Sequence, residues 1–61
     1  MITKTVTASD GVSRTVQGKI FGEQLRIYRV YGDVTNREAL EEMAQILALE
    51  TNTTNVLFTG V

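Results

Sequence analysis

At 61 residues with a net charge of −1, the chain has room for one domain, taken as residues 1–61. A chain this short buries only roughly 60% of the surface its unfolded form exposes. With no Cys and no His, disulfides and the usual metal ligands are not available to compensate, so self-association is expected. The commonest catalytic bases and nucleophiles are missing with them. No enzymatic activity and no cofactor are expected.

Residues 2–8 alternate, with Ile2, Val6 and Ala8 on one side, three threonines on the other, and Lys4 interrupting the apolar side. Alternation rich in β-branched residues predicts a strand exposed on one face. The pattern repeats over 12–20, with Val12, Val16 and Ile20 inward and Arg14 as the interruption. Side-chain parity chooses the turn between them. A two-residue Asp10-Gly11 loop would set apolar positions against polar ones, whereas a three-residue Ser9-Asp10-Gly11 loop pairs Ala8 with Val12 and keeps the apolar sets together. By the same test, Phe21 pairs with Gln24 across a type II′ Gly22-Glu23 turn. A third strand then runs over 25–31, with Leu25 and Ile27 inward and Arg26, Tyr28 and Val30 outward.

Thr35-Asn36-Arg37-Glu38 reads as a capping box opening a helix over 36–50, with Asn52 as a left-handed stop. On a helical projection the apolar residues Ile46, Ala39, Met43, Leu47, Leu40, Ala44 and Ala48 cover an arc of about 200°, wider than one sheet face needs. Leu49 falls outside even this arc, among Glu38, Glu42 and Gln45. The run Val56-Leu57-Phe58 fits a short fourth strand, whose neighbour in the sheet is left open. The fold class expected is α+β: a three-stranded antiparallel meander, one amphipathic helix and a short C-terminal strand, in the order βββαβ.

The charge is unevenly divided. Residues 1–31 hold five basic and two acidic side chains, a net of +3, and residues 32–61 hold one basic and five acidic, a net of −4. Glu38, Glu41 and Glu42 are the kind of cluster that could hold Mg²⁺, but acids early in a helix are explained by its dipole. Under the registers above, Lys4, Arg14 and Arg29 all fall on the inward parity and gather toward one end, Arg14 opposite Tyr31. They are read either as stems covering the core edge or as an anion site. The outward face, with Lys19, Arg26 and Tyr28, is polar and mildly basic. Sheets that bind single strands combine such charge with several aromatics, and only Tyr28 is counted here.

The leading expectation is a non-enzymatic protein–protein interaction module, a homodimer that buries Met43, Ile46, Leu47 and Leu49 and acts as an adaptor or inhibitor of a larger protein. Such a chain suits a phage or mobile-element accessory protein. The alternative is nucleic-acid binding through the sheet, using Lys19, Arg26 and Tyr28, or else the Lys4, Arg14 and Arg29 group. Residues 1–8 lack the apolar core of a signal peptide, and no apolar run nears the ~20 residues of a membrane span. A cytoplasmic location without membrane contact is expected, and the Asn52-Thr53-Thr54 triplet is read as chance.

Overall fold

The computed structural model describes residues 1–60. Strands β1 (Ile2–Thr7), β2 (Ser13–Phe21) and β3 (Gln24–Tyr31) form an antiparallel meander. Helix α1 (Arg37–Thr51) follows, and β4 (Asn55–Phe58) returns to pair with β3 in parallel. The sheet order is β1-β2-β3-β4. A parallel neighbour needs a crossover long enough to return the chain to the same end of the sheet, and α1 supplies it.

Both turns follow side-chain parity. The Ala8 N–H donates to the Val12 carbonyl at 3.3 Å, Gly11 takes φ 79°, and the β1–β2 register runs from Ile2 opposite Gly18 to Thr7 opposite Ser13. Phe21 pairs with Gln24, and Gly22 has φ 60° while Glu23 does not have positive φ, as a type II′ turn requires.

The register of β3 breaks where simple alternation was assumed. Gly18 pairs with Ile27, but Gln17 pairs with Arg29, leaving Tyr28 as the extra residue of a bulge. Every side chain beyond it changes sides. Val30, expected outward, sits half-buried against the core opposite Val16. Arg29 and Tyr31, expected inward, pair with the outward residues Gln17 and Thr15. Gly18 permits the close approach: a Cβ there would lie 2.3 Å from the Arg26 carbonyl oxygen. The Ile27 carbonyl beside the bulge is taken up by the chain after β4, accepting from the Thr59 and Gly60 N–H groups at 2.8 and 3.3 Å.

The helix start is displaced by one residue from the expected capping box. Thr35 turns back instead, its N–H and hydroxyl donating to Asp33 Oδ1 at 2.8 and 2.6 Å. Asn36 is the N-cap, its Oδ1 accepting from the Ala39 N–H at 3.2 Å while its Nδ2 donates to Asp10 Oδ2 at 3.1 Å. The choice of cap therefore depends on a residue in the first hairpin turn. At the other end Asn52 is left-handed (φ 55°), and the Asn52 and Thr53 N–H groups both close on the Ala48 carbonyl.

Helix α1 lies on the inner face of the sheet and packs against β1 and β4. Val6, Ala8, Val16, Leu25, Ile27, Ala39, Met43 and Leu47 form the buried core, with Ile2, Val30, Leu40, Ile46, Val56 and Phe58 packed around it. Burying a side chain such as Leu25 or Met43 stabilises the fold by about 1.5–3 kcal/mol. The wide apolar arc of the helix is mostly explained by this packing. Among the described residues, no helix is long and apolar enough to cross a membrane.

Candidate functional site

The inner and outer faces of the sheet treat their cations differently. On the inner face, Arg14 is 1% exposed. Its guanidinium forks onto Asp10, with Nη2 to Oδ2 at 2.9 Å and Nη1 to Oδ1 at 3.3 Å. Its Nε donates to the Asp33 carbonyl, and Asp33 Oδ2 lies 3.9 Å from Nη2. Asp10 also accepts from the Val12 N–H and from Asn36. The hydrogen bond from Arg14, helped by those from Val12 and Asn36, lowers the Asp10 carboxyl to about 2. Hydrogen bonds from Thr35 hold Asp33 below its usual range as well. The cluster ties the β1–β2 turn to the β3–α1 connection and the helix cap, and two carboxylates already occupy its cation.

The expected gathering of Lys4, Arg14 and Arg29 on one face is not found, because the bulge carries Arg29 and Tyr31 to the outer side. Lys4 remains inward and half-buried opposite Val16, on the edge strand. An inward-pointing charge there discourages another strand from pairing with the open edge.

On the outer face the same bulge assembles a surface that simple alternation does not bring together. Lys19 pairs with Arg26, and both cations stand over the ring of Phe21, Nζ at 5.3 Å and Cζ at 4.7 Å from its centroid. Arg26 Nε also donates to Gln24 Oε1 at 2.9 Å. Six residues back along β2, where Tyr31 meets Thr15, the Arg29 guanidinium lies 5.7 Å from the Tyr31 ring and donates to its hydroxyl at 3.3 Å. That hydrogen bond raises the Arg29 pKa further above its ordinary value. Tyr28, the bulge residue, lies between the two groups. Phe21, Tyr28 and Tyr31 are 41%, 40% and 48% exposed. Three of the four aromatic side chains in the chain are therefore on this face, with three of its six cations. Among the described residues, no carboxylate lies within ion-pair distance of Lys19, Arg26 or Arg29.

The rest of the outer face is hydroxylic. Thr5 and Thr15 share a hydrogen bond at 3.0 Å, and Thr7 and Ser13 share one at 2.8 Å. Phe21 was within reach of the sequence, since it alternates with Lys19. Tyr31 was not, because its side depends on the bulge.

The helix residues expected to form an interface are divided. Met43 and Leu47 are fully buried in the chain's own core, and Ile46 is half-buried against it. That removes Met43 and Leu47 from any surface contact, because their methylenes already face the sheet. Leu49 alone stands out, 85% exposed. Glu42 accepts a hydrogen bond from Ser9 at 2.7 Å, and among the described residues no group of acidic side chains is arranged to hold a metal ion.

No protein-family model, curated protein or solved structure matches this chain.

Proposed function

We propose that the protein is a nucleic-acid-binding module that works through the outer face of β2 and β3. One observation carries this: three exposed aromatic rings share an open sheet face with three cations that have no carboxylate partner among the described residues. Phosphates are attracted by the cations, and every base offers a π-face to a ring. The acidic side chains after residue 32 are mostly on the helix, behind the sheet, so they do not neutralise this face. Binding of this kind needs no catalytic group.

The test is fluorescence anisotropy with a labelled oligonucleotide over a series of salt concentrations. Affinity falls with salt. Replacing Lys19 and Arg26 together by Ala weakens binding and reduces the slope of log affinity against log salt by about 1.4, near 0.7 for each single-strand phosphate no longer neutralised. Salt-independent binding, or an unchanged slope in the double variant, overturns the reading.

A second reading, self-association through the helix as part of an adaptor or inhibitor, is supported by the exposure of Leu49. Its expected outcome is a dimer mass by light scattering at micromolar concentration that reverts to monomer in Leu49→Asp.

A further inference from the structure

The aromatic rings of the outer face are spread along β2 and β3 in a line. Phe21 with Lys19 and Arg26 forms one station at the hairpin end, and Tyr31 with Arg29 forms another where β3 ends. Tyr31 is paired with Thr15, so the stations are six β2 residues apart, about 20 Å at the rise of a strand. Tyr28 stands between them, opposite the Gln17–Gly18 step.

Resting on the nucleic-acid reading above, the geometry points to a specific ligand class: an unpaired run of about four to six nucleotides, laid along β2 and β3 and held at both stations. At the ~3.4 Å axial rise per nucleotide of a stacked strand, ~20 Å takes about six nucleotides. A strand splayed onto rings spans more per nucleotide and needs fewer. The rings require unpaired bases, because in a duplex each base is already stacked and its face is closed to a side chain. Each station combines a ring with at least one cation, so each can hold a nucleotide weakly alone. A ligand reaching both gains the second station without giving up translational freedom a second time.

This arrangement predicts a step rather than a gradual rise of affinity with length. In a series of labelled oligothymidylates from dimer to dodecamer at fixed low salt, affinity rises about tenfold or more between three and six nucleotides, the size of one added base–ring contact. Beyond that it rises only with the number of ways a short site fits on a longer strand. Tyr31→Ala removes the step and leaves the weak binding of the trimer. Tyr31→Phe keeps the ring, and with it the step, which separates stacking from any loss of fold. A duplex of the same length binds at least tenfold more weakly than the unpaired strand. Smooth length dependence, a step that survives in Tyr31→Ala, or equal binding of duplex overturns the two-station site while leaving sheet-face binding standing. No binding at any length, with circular dichroism showing a folded protein, overturns both.

Discussion

Arg14 and Arg29 lie on neighbouring strands and carry the same guanidinium, but their surroundings are opposite. Arg14 is enclosed, forked onto Asp10 and bonded to the Asp33 carbonyl, and its partners in turn position the helix cap. Arg29 is exposed, beside the Tyr31 ring and hydroxyl, with no acid within ion-pair distance among the described residues. Both were expected on one inward face. The single extra residue of the β3 bulge separates them into a cation that holds the fold and a cation that remains available to a polyanion. In a chain of 61 residues, side-chain parity thus decides whether a cation is enclosed or left exposed as much as residue type does.

The difference is testable by substitution, starting where the effect is largest. Arg14→Met leaves Asp10 and Asp33 without their cation and frees the loop that caps the helix. Both carboxylates keep access to solvent, so no buried charge is stranded, and what is lost is the forked contact and the donor to the Asp33 carbonyl. The variant is expected to keep a cooperative thermal transition at a clearly lower midpoint. Arg14→Lys lowers the midpoint nearly as much, because an ammonium cannot make the forked contact.

Acid attacks the same cluster. Asp10 titrates at about 2 in the folded chain against 3.8 unfolded, and Asp33 is lowered too. A depressed folded pKa stabilises the fold above the unfolded value and loses that contribution as pH falls. The thermal midpoint is therefore expected to change little from this cluster between pH 7 and 5, and to drop between pH 4 and 2. Asp10→Asn is less stable at neutral pH and shows a shallower acid drop.

Gly18→Ala tests the bulge itself. With a Cβ only 2.3 Å from the Arg26 carbonyl oxygen, the strands must shift, at a cost of about 1–3 kcal/mol by chemical denaturation. The nucleic-acid binding proposed for this face predicts that affinity falls with it, since Arg29 and Tyr31 lose their placement. At the small end, Arg26→Ala and Tyr28→Ala change stability by no more than about 0.5 kcal/mol, as exposed positions usually do. If they destabilised as much as a core substitution, the outer face would be structural, like Arg14.

Much of this fold could be read from the residues. Parity placed both hairpin turns, the inward set Val6, Val16, Leu25 and Ile27, and the βββαβ order, and the left-handed stop at Asn52 is where its side chain makes it favourable. What escaped depends on contacts distant in sequence. Thr35 looks like a cap by local rules, but Asp33 engages it and Asp10 holds Asn36 in its place. The parallel pairing of β4 with β3 depends on how the helix packs, which periodicity does not encode. Tyr31 and Arg29 reach the outer face through a bulge whose only local sign is Gly18, a glycine inside a strand and thus a residue without a side chain to obstruct the opposite backbone. On the helix, the apolar arc looks like surplus only while the inner face of the sheet is taken to be narrower than the surface α1 covers.

Whether the outer face of β2 and β3 receives a single strand is read most directly from a ¹⁵N–¹H correlation spectrum of the labelled protein, titrated with a short oligothymidylate at low salt. Sheet-face binding predicts shifts concentrated at residues 17–31, strongest near Phe21, Tyr28 and Tyr31, with the amides of α1 nearly unmoved. Shifts centred on the helix around Leu49, or none at millimolar oligonucleotide, would contradict it.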